Sequence, residues 1–276
     1  MYTGFYNLRE NPFNVTSDPN FLFMSKRHRE ALAFLTYGIE QRKGFLEITG
    51  EIGTGKTTLC KALMNRLDKK VKTAFIINPD LSELQLLGSI AEDFGLELPK
   101  KVNKLLMFHL LNKFLIHQLS LRNNVALIID EAQNLKPLLL EQIRLLSNLE
   151  TEKEKLIQIV LVGQPELRDK LNSPGLAQLR QRISIRYHMV PLDENEIGDY
   201  IEHRLRVAGS DGRIKFSEEA INEIYKFCEG VPRLINMVCD RALLFGFVLE
   251  TNHMTLDIAK KAMDEIKGQV VYEYNK

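Results

Sequence analysis

The chain has 276 residues, 45% of them apolar and 26% charged, with a formal net charge of +1. That length holds one large domain or a medium domain with a small one, and the near-neutral balance excludes a bulk electrostatic nucleic-acid binder while leaving room for a local basic patch. Cys60, Cys228 and Cys239 form no CxxC pair and have no histidine at metal-ligand spacing, which reads as reduced, buried thiols in a cytosolic protein.

The opening MYTGFYNLRENPF lacks a basic start followed by an apolar core, so it does not read as a secretory signal. Apolar runs then alternate with amphipathic ones as far as residue 190. GFLEIT (44–49) reads as a strand running into a glycine loop. TLCKALMNRL (58–67) carries Leu59, Ala62, Leu63 and Leu67 at helical spacing. KTAFIINPD (72–80) reads as a second strand, and LSELQLLGSIAEDFG (81–95) as a helix closed by Gly95. Leu106, Leu110, Phe114 and their neighbours stripe the next helix. VALIID (125–130) is a third strand, KPLLLEQIRLLSNLE (136–150) a helix with Pro137 in its first turn, IQIVLVG (157–163) a fourth strand and ISIRYHMV (183–190) a fifth. Strands alternating with helices predict an α/β fold with a parallel sheet buried on both faces.

After Pro191 the pattern is all-helical. Segments 194–209, 217–230, 232–250 and 256–268 read as helices, with Ser217 as an N-cap followed by Glu218 and Glu219, and Gly230 as a stop. The expected division is 1–191 for the sheet domain, with 1–43 as an N-terminal strap and helix, 192–268 for a helical lid, and 269–276 for a loose tail. ALLFGFVL (242–249) is well short of the roughly 20 apolar residues that cross a bilayer, so the polypeptide is not expected to span a membrane.

The chemistry-bearing motif is GEIGTGKTT. Gly50, Glu51, Ile52, Gly53, Thr54, Gly55, Lys56 and Thr57 match GxxxxGK[ST] between a strand and a helix that runs on through Thr58. Glycines let backbone N–H groups wrap phosphates at a helix N-terminus. Lys56 is expected to reach the β- and γ-phosphates, and the Thr57 hydroxyl to ligate Mg²⁺. Asp130 ends an apolar strand and supplies a second metal-shell oxygen. Glu131 follows it and is placed to polarise an attacking water. A glutamate in that position implies an additional strand between the loop strand and this one, and IQIVLVG fills the gap. Gln164 then sits beyond its end, as a phosphate sensor or an ordinary loop amide. Arg182 is the first candidate for an arginine reaching into a neighbouring subunit, ahead of Arg180 and with Arg186 as a third; each also reads as a solvated edge residue. Arg233, in GVPR, starts a lid helix where the dipole disfavours a cation, which favours a role at the γ-phosphate.

Taken together these parts resemble an AAA+ ATPase, a P-loop NTPase with a three-layer αβα sheet and a small all-α lid. The opening FYNLRENPFNVTSDPNF, with LIIDEAQNL, LVGQPEL, LRQRI and GVPRLIN, resembles the ExeA/GspA-type secretion ATPases, including the MshM-like members, over about residues 1–265. The resemblance implies ATP and Mg²⁺ as ligands, ATP hydrolysis, nucleotide-dependent self-association, and a role in type II secretion or type IV pilus assembly beside an inner-membrane partner. It also implies that Asn11, Pro12 and Phe13 pack near the adenine, although Phe13 alone reads as a structural strap. Larger members continue into a transmembrane helix and a periplasmic peptidoglycan-binding region that this sequence does not include, so the expected location is cytoplasmic, peripheral at the inner membrane through a partner. Ser17 stands where the family often has proline. The alternative is a DNA-binding regulator resembling the MuB/TniB transposition proteins, with lysines 69, 70 and 72 or 100, 101 and 104 as phosphate contacts.

Overall fold

The structure, a computed structural model, describes residues 2–77, 81–152 and 154–274. In chain order its elements are α1 (Tyr2–Phe5), α2 (Lys26–Glu40), β1 (Phe45–Gly50), α3 (Lys56–Arg66), β2 (Val71–Ile76), α4 (Glu83–Asp93), α5 (Lys104–Ser120), β3 (Asn124–Ile129), α6 (Pro137–Leu146) and β4 (Gln158–Gly163). There follow α7 (Pro165–Leu171), α8 (Ala177–Arg182), β5 (Ile183–Met189), α9 (Ile197–Val207), β6 (Lys215–Phe216), α10 (Glu218–Cys228), α11 (Pro232–Val248), β7 (His253–Met254) and α12 (Leu256–Tyr274). The second strand ends at Ile76, and residues 78–80 of its expected span lie outside the described residues. At the other end, α12 continues to Tyr274, past the stop expected at Gly268. An established helix extends at one hydrogen bond per residue, and a single glycine does not end it. Residues 275 and 276 of the expected tail are outside the described residues.

By its contacts the chain divides into two units. The sheet unit comprises Arg29–Ile52 and Leu59–Met189. Its five strands run in the order β2-β3-β4-β1-β5 with every neighbouring pair parallel, and β4 lies between β3 and β1 as the sequence implied. All six residues of β1 and of β4 are buried, whereas the edge strands β2 and β5 are only partly covered. A parallel sheet needs both faces covered, and the period of two assigns the covers. Phe45, Ala74, Leu127 and Ile159 share one face with the buried side chains of α4, α5 and α6. Leu46 and Ile48 point the other way, on the face that β5 extends with Tyr187. There Phe34 of α2 meets the Tyr187 ring at 5.7 Å between centroids.

The helical unit comprises the described residues up to His28, Gly53–Thr58, and those from Val190 onward. Its core joins α9 to α12 with Tyr6, Leu8, Phe13 and Phe21 from the strap. This grouping departs from the division at residue 191 read from the sequence, because the strap buries its aromatic side chains among these helices. Ser217 caps α10, its hydroxyl accepting from the Ala220 N–H at 3.2 Å. Arg204 is 6% exposed on the apolar stripe of α9 and faces the strap without a carboxylate partner in the hydrogen bonds it makes there. Its guanidinium donates to the carbonyls of Pro12 (2.5 Å) and Asn14 (2.9 Å), and lies 4.7 Å from the centre of the Phe21 ring. All three cysteines are buried and outside any disulfide, and burial pushes Cys228 up to about 12. Among the described residues no helix is long and apolar enough to cross a membrane.

Candidate functional site

The glycine loop leaves the C-terminal end of β1 and enters α3 at Lys56. Gly53 and Gly55 have φ of +81° and +90°, a region costly for other L-residues, so glycine at both places lets the loop take this turn. A Cβ on Gly53 would fall 2.7 Å from the Arg233 Cβ, and the Arg233 N–H donates to the Gly53 carbonyl at 3.3 Å. Arg233 itself is exposed at the start of α11. On another side of the loop stands His28, 4% exposed, whose Nε2 is 3.2 Å from where a Gly55 Cβ would lie. Its backbone N–H donates to the Ser25 hydroxyl, which also bonds its Nδ1 at 2.7 Å. Burial holds the imidazole below the usual histidine range, against a hydrogen bond to the Thr54 backbone and the Glu196 carboxylate, which favour its protonated form. Thr54 and Lys56 are buried, Thr57 and Thr58 half-buried, and Glu51 and Ile52 exposed. A helix start with backbone donors and a lysine beside it is the kind of arrangement that attracts anions.

In the sheet unit, Gly50 closes β1 and Asp130 follows β3, at the same end of two strands separated by β4. Asp130 is 1% exposed, and its Oδ1 accepts the Glu131 N–H at 2.9 Å. Glu131 is left-handed, with φ of +51°, which costs a non-glycine residue on the order of 1–3 kcal/mol and so needs support from its surroundings. The Glu131 backbone is held by the Asp130 carboxylate on its N–H and by the Asn134 N–H donating to its carbonyl at 2.9 Å, and its side chain by two amides. Gln133 Nε2 donates to Glu131 Oε2 at 2.5 Å, and Gln164 Nε2 donates to the same oxygen at 3.3 Å. Gln164, expected beyond the end of β4, is thus joined directly to Glu131.

The three arginines differ in their partners. Arg186 pairs with Glu47 at 3.1 Å, a carboxylate 2% exposed in the centre of β1, and donates to the Arg180 carbonyl at 3.0 Å. Burial pushes the Glu47 carboxyl up, and Arg186 and Arg168 pull it back. Arg182 donates to Ser147 Oγ at 3.0 Å and to Asn148 Oδ1, just past the end of α6. Arg180 is exposed. Asn11 and Pro12 fasten the strap to the helices: Asn11 donates to Asp240 of α11 at 3.0 Å, and the Pro12 carbonyl accepts from Arg204 of α9. Phe13 is 2% exposed and lies edge-on to Phe216, which is the strap role rather than an open face for a base.

His28, Arg204 and Gln133 were not singled out from the sequence. His28 follows Ser25 by three residues, the spacing of a helix cap. Arg204 interrupts an apolar stripe of Ile197, Tyr200, Ile201 and Leu205. Gln133 sits two residues past the acidic pair, where a chain turning after the strand brings it back.

The sheet order, the glycine loop and the helical C-terminal region define the class of fold, that of a P-loop NTPase core of the AAA+ type. A profile described as the AAA domain matches residues 39–171. Over 268 residues, 97% of this chain, the sequence is 42% identical to General secretion pathway protein A of Aeromonas hydrophila, so the chain is similar to the ExeA/GspA type along nearly its whole length. It spans 49% of that relative. Among solved structures, the Aeropyrum pernix ORC2 protein in ADPNP-ADP complexes aligns with a TM-score of 0.71 at 18% identity, over 93% of this chain and 71% of that one. The Thermotoga maritima RuvB Holliday junction branch migration motor aligns with a TM-score of 0.58 at 18% identity, over 87% and 68%. These two share the fold.

Proposed function

We propose that the chain binds ATP with Mg²⁺, hydrolyses it to ADP and phosphate, and acts as a nucleotide-dependent oligomeric switch in type II secretion or type IV pilus assembly. The observation that carries the turnover step is Glu131, set after a buried strand-ending aspartate and held by two amides. In this reading the loop N–H groups, Lys56 and the α3 dipole bind the β- and γ-phosphates. Glu131 accepts the proton of the attacking water, and Gln164 holds that carboxylate in place. Mg²⁺, when bound, neutralises phosphate charge, and the Thr57 hydroxyl and the Asp130 carboxylate are oxygen ligands of the kind it takes. Arg233 meets the γ-phosphate from the helical lid, and Arg182 serves a neighbouring subunit. The secretion context is supported by the similarity to General secretion pathway protein A.

The test is steady-state phosphate release beside equilibrium nucleotide binding. Lys56→Ala is expected to lose binding. Glu131→Gln is expected to keep binding and to lose about 10²-fold or more in turnover. Two variants that hydrolyse ATP like the parent remove the assignment.

A further inference from the structure

We propose that Gln133 is a positioning residue for Glu131, tying its carboxylate to the end of β4 so that a movement there is felt at the proton acceptor. This rests on the reading of Glu131 given above. The amide of Gln133 has both ends engaged. Its Oε1 accepts the backbone N–H of Gln164 at 3.1 Å, and a backbone N–H can only donate. The amide orientation is therefore fixed, with Nε2 facing Glu131 Oε2 at 2.5 Å. Gln164 adds its side-chain N–H to the same oxygen at 3.3 Å. Two donors on Oε2, with neither on Oε1, set the plane of the carboxylate and turn one oxygen toward its amide partners.

The backbone carbonyl of Gln133 is anchored as well. Lys170 of α7 donates to it, and to the Leu135 carbonyl at 2.9 Å. The space for the amide comes from Gly163, the last residue of β4. A Cβ there would lie 2.7 Å from Gln133 Oε1 and 2.9 Å from Leu167 Cδ2. The charged groups around the pair are Asp130 on the same turn and Lys170 from α7.

The experiment measures ATP turnover of the full chain and of Gln133→Ala, Gln133→Glu and Gly163→Ala, with thermal melts alongside. Gln133→Ala is expected to lower kcat about tenfold or more with KM within about twofold, since only orientation at the reacting centre is lost. Gln133→Glu replaces the donor by an acceptor and restores a donor only when protonated. Its activity relative to the parent is therefore expected to rise from about pH 8 to about pH 6. Gly163→Ala displaces the same amide without deleting it, and combined with Gln133→Ala it should add little to the loss. An unchanged kcat, a rise in kcat, or a loss confined to KM in Gln133→Ala overturns the proposal while wild-type turnover stands. No turnover in the parent, with Glu131→Gln indistinguishable from it, overturns the reading of Glu131 and this proposal together.

Discussion

At the scale of single residues, the buried histidine beneath the glycine loop has the most direct consequence for solution behaviour. His28 is held below the usual histidine range by burial. In the unfolded chain it titrates near 6.5, so above about pH 7 neither state carries the proton. As pH falls below about 6.5 the unfolded chain takes up a proton that the folded one resists, and stability falls until the folded pKa is reached. His28→Gln removes that slope. Urea unfolding at about pH 8 and about pH 5.5 should therefore show the parent's stability advantage over the variant shrinking as pH falls. His203, also lowered by burial, acts in the same direction in both proteins and cancels in the difference. A constant gap at both pH values would show that His28 takes no part in the linkage. The residues of the site were unevenly legible. Lys56 and Asp130–Glu131 announce themselves, because phosphate and metal chemistry restrict both residue type and spacing. His28 and Gln133 do not, because a histidine or an amide has many uses and its bonds are set by elements far away in sequence.

At the scale of elements, a buried guanidinium fastens the strap to α9, beside the contacts of Phe23 with Tyr200 and His203. Arg204 donates to two strap carbonyls and covers the Phe21 ring. Arg204→Ala leaves the Pro12 and Asn14 carbonyls without that donor and removes the guanidinium that lies over the Phe21 ring. A loss of about 2–4 kcal/mol is expected by denaturant unfolding, within the range for breaking a buried hydrogen-bond network. Faster proteolysis within residues 1–25 should accompany it. Arg204→Lys keeps the charge but not the fork, and is expected to recover little. A variant as stable as the parent, with an equally protected strap, would contradict this. The strands of the sheet and most helices were legible because two-faced burial leaves continuous apolar runs and helical stripes. The two-residue parallel pair β6–β7 was not, since two residues show no period. Nor was the attachment of the strap to the helical unit, because aromatic side chains at its positions fit either core.

At the scale of the whole molecule, the proposed oligomeric switch requires an arginine that a neighbouring copy could take over. The three arginines near β5 are distinguished by what already holds them. Arg186 is tied to buried Glu47 and so serves its own chain. Arg182 donates to the buried Ser147 hydroxyl and to Asn148, and its charge also acts on the Glu141 carboxylate, but the two hydrogen bonds are to neutral oxygens and are worth about 1 kcal/mol each, so a phosphate oxygen on a neighbouring copy can replace them. Arg182→Ala is therefore expected to bind ATP normally, to lose turnover, and to regain part of it when mixed with Lys56→Ala chains. The first variant then supplies an intact loop and the second an intact arginine. Sedimentation with a non-hydrolysable ATP analogue should show larger assemblies than without nucleotide. Mixed chains with no recovery, and a sedimentation profile indifferent to nucleotide, would place the arginine's action within one chain. The same preparations answer the nucleic-acid alternative. With a net charge of +1, duplex DNA binding is expected to be absent even at low salt. A retained complex whose affinity falls steeply with added salt would move the lysines at 69, 70 and 72, or at 100, 101 and 104, from solvated surface to phosphate contacts, and the switch would then be read as acting on DNA rather than on a secretion partner.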